Sequence, residues 1–169
     1  MSAKARFCRH FPALSAIVPT RMTTYILNKK ATFNYEILER FEAGAVLFGH
    51  EVKSVRNSLG SLVGAYVIIR GGELFLVGAS LTSYQTKNTP DSYDPERARK
   101  LLLSRAEITK IEKSLNTAGL TVVPIKWYST RGKIKLEIAL VRGKKKADKR
   151  EAIKERDTKR DFDRLRKSY

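Results

Sequence analysis

From about Tyr25 onward, apolar and polar residues alternate in short runs. In residues 133–140, Ile134, Leu136, Ile138 and Leu140 fall on one side of an extended chain, and Lys133, Lys135 and Glu137 on the other. A period of two marks a strand with one buried face and one face turned to water or a ligand. Residues 121–128 form a similar apolar run, and Arg131-Gly132 separates the two as a turn, so the pattern predicts a hairpin. A second hairpin is predicted over residues 65–77, where two runs of β-branched, aromatic and leucine residues flank Gly71-Gly72. Glycine reaches the positive φ angles of a tight hairpin turn without a Cβ penalty. Residues 35–41 and 46–52 read as two further strands joined around Ala43-Gly44. Residues 57–63, with Gly60 and two serines, read as a turn with one helical turn.

One helix is predicted at about residues 104–117. Ser104-Arg105-Ala106-Glu107 is a capping-box pattern, in which the serine hydroxyl accepts from an orphan N–H and the glutamate reaches back. Ile108, Ile111 and Leu115 then recur at helical spacing, with Gly119 as the stop. Residues 87–96 carry Asn88, Pro90, Asp91, Asp94 and Pro95 and read as a loop. The count is six or seven short strands and one inserted helix. Short strands must hide their edges, and a small closed barrel does so. The expected fold class is therefore mainly β: a small closed barrel of oligonucleotide-binding (OB) type, by analogy of architecture. After Val141 the apolar residues thin out to Ile153, Phe162, Leu165 and Tyr169, too few to bury a core. The tail has no proline, and Glu151/Lys154, Glu155/Lys159 and Asp161/Arg164 pair at helical spacing. It is expected to be disordered when free and able to become helical on a phosphate-lined surface. The expected organisation is a basic arm at 1–24, a barrel at 25–142 and a basic tail at 143–169.

Charge sharpens this picture. The chain has 169 residues and a formal net charge of +17. Residues 1–35 carry +6 with no acid, residues 36–142 carry +5, and residues 143–169 carry +6. Two basic ends around a modestly charged body favour a polyphosphate partner, because each neutralised phosphate releases counterions. An anionic membrane surface and charge kept for solubility are the rival readings. Cys8 is the only cysteine, so no intramolecular disulfide is possible, and with only His10 and His50 no zinc site is expected. His50-Glu51 lacks the second histidine of a zinc-protease helix, and no Gly-rich loop leads into Lys-Ser or Lys-Thr. No cofactor and no catalytic residue is expected. Residues 1–24 fit an organelle transit peptide, a disordered basic arm, or a stretch ahead of a start at Met22; the last two are favoured.

Several motifs resemble the SsrA-binding protein family, small protein B. They are Asn28-Lys29-Lys30-Ala31, Tyr35-Glu36, Phe41-Glu42-Ala43-Gly44 and Gly49-His50-Glu51-Val52-Lys53-Ser54-Val55-Arg56 in the first half. Residues 94–103, residues 121–124 and the tail motifs Gly143-Lys144-Lys145, Asp148-Lys149-Arg150 and Lys154-Glu155-Arg156-Asp157 continue the series. The resemblance covers about residues 28–166. It implies an OB-type barrel that grips the tRNA-like domain of transfer-messenger RNA (tmRNA) and brings it to stalled ribosomes for trans-translation. It also implies a tail that enters the empty mRNA channel of the small subunit and becomes helical at the decoding centre. Elongation factor Tu and alanyl-tRNA synthetase are implied as indirect partners. The expectation is a monomeric, non-enzymatic, cytoplasmic RNA-binding protein without a membrane partner. The alternatives are a general RNA-binding or ribosome-associated module of the same barrel type, and an RNA-modifying enzyme.

By the same resemblance, Asn28 and Glu42 occupy RNA-contacting positions, where an amide and a carboxylate read base edges or 2′-hydroxyls. Leu102 occupies an apolar contact position. Lys53, Arg56, Arg97, Arg99, Lys100, Lys133 and Lys135 are the expected phosphate contacts. Lys144, Lys145, Asp148, Lys149, Arg150 and Lys154 match the ribosome-binding tail. One position departs: the family usually carries an aromatic residue or histidine where this chain has Ala147, which removes a stacking group worth about 1–3 kcal/mol per base.

Overall fold

The computed structural model describes residues 22–84, 90, 93–116, 119–144, 158, 164 and 166. Seven strands and three helices follow one another as β1 (Thr23–Leu27), α1 (Lys29–Asn34), β2 (Tyr35–Ala45), α2 (Gly49–Arg56), β3 (Tyr66–Arg70), β4 (Glu73–Val77), β5 (Arg99–Leu102), α3 (Arg105–Leu115), β6 (Leu120–Thr130) and β7 (Lys133–Gly143). Both predicted hairpins are present. Gly71 and Gly72 sit at φ +60° and +73°, and the β6–β7 turn at Arg131 and Gly132 has φ +49° and +76°. The Ser104 cap also forms as read, with its side chain accepting from the Glu107 N–H.

Strand order is β1-β6-β3-β4-β5-β2-β7, and β6 also pairs with β7, so β6-β3-β4-β5-β2-β7 closes into a ring. All pairings are antiparallel. One long edge of β6 runs along β7, while its other edge is shared between β3 at Val122 and β1 at residues 126–129. Closure leaves few backbone groups free to recruit another strand. The interior is filled by Phe41, Ala43, Val67, Leu74, Leu76, Leu101, Leu136, Ile138 and the wholly buried Trp127. Helix α3 adds Ile111, also wholly buried, with Ile108 and Leu115 packed beside it.

A second, smaller cluster lies outside the ring. Ala31 of α1 covers Val123, Ile125, Ala139 and Val141 on β6 and β7, with Tyr35 and Ile37 alongside. Proline lacks the N–H of a regular ladder and is confined to edges and bulges within sheets. Here Pro124 stands where the β6–β7 register shifts, between Pro124 and Lys126. Asn28 ties down this stretch of β6: its backbone N–H donates to Ile125 O at 2.7 Å and its amide to Pro124 O at 3.1 Å, and the same amide reaches Leu62 O at 2.8 Å.

Two sequence expectations are corrected. Residues 46–52 are not a strand; β2 runs through Ala45, and Gly49–Arg56 is a helix. Glu51, Ser54 and Val55 supply its buried side at helical spacing, which the β-branched and aromatic residues around them hid. The inserted helix is not alone, since α1 and α2 accompany it.

Candidate nucleic-acid interface

The outer face of β2, β6 and β7 is divided. One half lies under α1; the other is polar and partly open, with Tyr128 buried beneath its charged groups. In an antiparallel ladder, residues opposite each other point to the same side. Glu42 on β2 faces Glu137 on β7, which faces Lys126 on β6, and Lys135 faces Tyr128. Phe41 and Trp127 point inward, so their neighbours Glu42 and Tyr128 point outward. The Glu42 carboxylate accepts from Lys135 Nζ and from the Tyr128 hydroxyl. Those two hydrogen bonds, Lys135 first, hold Glu42 below the usual carboxylate range. Tyr128 moves the other way: burial first, then the adjacent Glu42, holds its hydroxyl protonated well above the normal tyrosine range. Glu137 pairs with both Arg40 and Lys126 at 3.0 Å, and Lys126 Nζ stands 5.4 Å above the Tyr128 ring. A cleft of 230 Å³ opens between Met22, Phe41 and these residues.

Alternating charges of this kind fix one another while leaving capacity for a ligand. Each carboxylate oxygen of Glu42 has a second lone pair, enough to accept from a 2′-hydroxyl or a base amino group. The lysines on the same face suit phosphates. The face continues past Glu42 along β2. Gly44 lies opposite Leu102 of β5, and a Cβ at Gly44 would come within 3.3 Å of Leu102 Cβ. Leu102 is 53% exposed, so it is not a core residue but an apolar surface residue. Lys100, paired with Glu73, holds the next stretch of β5 against Val46 through Val46 N–H to Lys100 O. The structure thus brings Glu42, Lys135, Leu102 and Lys100 onto one continuous outer surface. Lys133 stands exposed at the β6–β7 turn, and Lys53 and Arg56 are exposed on α2, a separate element.

Arg99 is a correction. It is wholly buried and cannot reach a phosphate. Its Nε donates to Glu51 at 2.9 Å, and its other donors go to the carbonyls of Ala79, Arg97 and Pro95 and to the Tyr93 hydroxyl. Arg97 is mostly committed as well, with Nε and Nη2 forked onto the two oxygens of Glu51 at 3.0 and 2.6 Å. Glu51 is itself fully buried. Burial alone would raise its pKa; hydrogen bonds from Arg97 and the Phe48 N–H, with the charges of Arg99 and Arg97, outweigh it and hold Glu51 ionised. Desolvation, followed by the charge of Glu51, pushes the Tyr93 hydroxyl up. Both arginines look like phosphate contacts in the sequence, where charge is visible and a buried counter-ion is not.

Asn28 likewise serves the protein. It is 3% exposed, both amide hydrogens are donated to carbonyls, and its oxygen caps α1 by accepting from Ala31 N–H at 3.1 Å. The expected reading of a base edge by this amide does not match that geometry. Asn28 lines a larger cleft of 480 Å³, between α1 and residues 63–66, away from Glu42. Lys144 is tied to α1, its N–H donating to Asn34 O at 3.1 Å. Lys145, Asp148, Lys149, Arg150 and Lys154, together with Ala147 and residues 1–21, lie outside the described residues, as does much of the 87–96 loop. Among the described residues no group of three or more His, Cys, Asp or Glu is placed to hold a metal, and no helix is long and apolar enough to cross a membrane. Tyr128, which is buried beneath the charged groups, Lys126 and Arg40 also belong to this face and carry no motif that singles them out in the sequence. The available signal was alternation: if Trp127 is core, Tyr128 must face outward.

Comparison with known proteins is consistent across sequence and structure. A family model described as SmpB protein matches residues 25–168. An SsrA-binding protein of Chlorobaculum tepidum is 47% identical over 147 residues, 86% of this chain and 93% of that protein. An SsrA-binding protein of Mesoplasma florum is 50% identical over 134 residues, covering 79% of this chain and 90% of that protein. A solved chain described under "tmRNA-SmpB: a journey to the center of the bacterial ribosome" superposes with a TM-score of 0.62 at 36% identity, covering 78% of this chain and 95% of that one.

Proposed function

Because the chain belongs to the SmpB protein family, we propose that it binds the tRNA-like domain of tmRNA and delivers that RNA to stalled ribosomes for trans-translation. The observation that carries this reading is the match over residues 25–168, which takes in both the barrel and the tail. The barrel is the RNA-gripping part. Glu42 accepts hydrogen bonds from the RNA, Lys100, Lys133 and Lys135 neutralise phosphates, and Leu102 makes an apolar contact. Lys53 and Arg56 add phosphate contacts from α2. Residues 145–169 engage the small subunit at the decoding centre and the vacant mRNA channel, with Lys145, Asp148, Lys149, Arg150 and Lys154 as the contacting set. The protein works as a cytoplasmic monomer and turns over no substrate; elongation factor Tu and alanyl-tRNA synthetase act on the same RNA. Thr158, Arg164 and Arg166 are helical, in keeping with a helix-forming tail.

The test is binding of purified full-length protein to the isolated tRNA-like domain, titrated across salt concentration, with ordinary tRNA as competitor. The expected result is tight binding that weakens steeply with salt and resists ordinary tRNA. Equal competition by ordinary tRNA would identify a general RNA-binding module instead, and salt-independent binding would remove the phosphate contacts from the account.

A further inference from the structure

At the end of the Glu42–Leu102 surface, the chain turns from β2 into α2 through Val46, Leu47 and Phe48. Phe48 is 51% exposed, which is unusual for an aromatic ring held in fixed surroundings. Its position is fixed three times. Its backbone N–H donates to Glu51 Oε2 at 2.8 Å, the Arg97 guanidinium lies 4.1 Å from its ring centroid, and the His50 ring stacks on it at 5.5 Å and 29°. Arg97 is in turn clamped by the two oxygens of Glu51, and Tyr93 meets the other ring of the stack, His50, edge-on at 4.5 Å. An exposed side chain with this much support gains nothing for the core. The supporting cluster also has a sign. Two guanidinium groups, Arg97 and Arg99, share the single carboxylate of Glu51, and it is Arg97 that lies over the ring.

We propose that Phe48 and Arg97 form a stacking platform for one unpaired nucleobase of the bound RNA, with Arg97 and Lys100, on the adjoining strand, drawing in its phosphate. The occupant follows from the surface itself. It is planar and apolar where the ring lies, cationic where the arginines lie, and continuous along β2 with the carboxylate–lysine face that meets RNA in the proposed function, on which this inference rests. Aromatic rings and guanidinium planes are the groups on which unstacked bases settle. A base that joins an already ordered stack requires little further ordering of the protein, so most of the stacking energy is retained as affinity.

The experiment compares full-length wild-type protein with Phe48→Leu, Phe48→Ala and Phe48→Trp in binding to the tRNA-like domain at several salt concentrations. Phe48→Leu keeps an apolar side chain but has no π-face. The expected result is that Leu and Ala both bind roughly tenfold more weakly, while Trp binds at least as tightly as wild type. The dependence on salt should keep its slope in all three, because the ring neutralises no phosphate. Thermal melts of Phe48→Leu matching wild type exclude misfolding as the cause. Wild-type affinity in Phe48→Leu overturns the platform, as does a weakened Phe48→Trp. Wild-type protein that does not bind the domain at all overturns the functional reading itself and the platform with it.

Discussion

Glu51 shows how a single residue organises the chemistry around it without touching a ligand. A buried carboxylate is costly unless paired and hydrogen-bonded, and Glu51 meets that condition by drawing in Arg97, Arg99 and the Phe48 N–H. Removing its charge leaves Arg99 wholly buried without its counter-ion. Glu51→Gln is therefore expected to cost about 3–5 kcal/mol of stability, the range for breaking a buried pair from one side, measured by urea denaturation at neutral pH. The same pair sets a pH dependence. A glutamate in the unfolded chain titrates at about 4.3, and Glu51 in the fold titrates lower. The unfolded state thus takes up the proton first as pH falls, so the stabilisation is complete above that range and is lost as pH drops through it toward the folded value. Melting temperatures of wild type should fall more steeply below about pH 4.3 than those of Glu51→Gln. Equal slopes would mean that Glu51 is not the ionised hub described here. Glu42, by contrast, is exposed enough that losing its pair with Lys135 should cost little stability. Its loss should appear in RNA binding: Glu42→Ala is expected to weaken the complex about tenfold, as for hydrogen bonds to a charged group. Lys135→Ala should instead lower the salt slope by about one unit. Gel-shift titrations across salt concentration separate the two.

At the scale of elements, the parts that carry their own local signal were legible, and the parts held by distant partners were not. The β3–β4 and β6–β7 hairpins announce themselves through alternation and glycine turns, and α3 through Ser104 and Glu107. Ser104→Ala should accordingly remove about 1 kcal/mol, a fall of about 2–4 °C in Tm for a body of this size, with RNA affinity unchanged; a loss of RNA binding would show that α3 does more than fill the barrel. Helix α2 reads as strand in the sequence because Val46, Phe48 and Val52 have strand propensity and Gly49 disfavours helix. What makes it a helix is the Glu51 carboxylate at its N-terminus and the burial of Ser54 and Val55, both consequences of the tertiary fold. Strand β5 escaped notice for the same reason. Arg99 and Lys100 look like surface charges, and only the closed ring turns Arg99 inward and Lys100 outward. Gly60 gives this a further test. A Cβ there would stand 2.6 Å from Leu81 Cδ2 and 2.7 Å from the Ser80 carbonyl, next to the Ser61–Ser80 bridge. Backbone cannot yield as a side-chain tip can, so Gly60→Ala should destabilise by about 1–3 kcal/mol, read by the same melts.

At the scale of the whole molecule, the proposed division of labour follows the distribution of charge. Residues 36–142 carry +5 and residues 143–169 carry +6, so the short tail is far more densely cationic than the barrel it follows. The barrel does not stop at its last apolar residue. Gly143 still pairs with Tyr35, and Lys144 donates to the end of α1 at Asn34. A truncation that respects the fold must therefore keep Lys144 and remove residues 145–169. Such a protein retains the Glu42–Leu102 surface and the Glu51 hub intact. It should melt near the wild-type temperature and bind the isolated tRNA-like domain with affinity close to wild type at moderate salt. Addition of the tmRNA-encoded tag to nascent peptides on stalled ribosomes should be abolished, because the cations proposed to meet ribosomal RNA are gone while those proposed to meet tmRNA remain. Measuring domain affinity and peptide tagging on one preparation tests the division directly. If truncation removed both together, the tail would be part of the tmRNA grip; if it removed neither, the basic extension would have no part in engaging the ribosome.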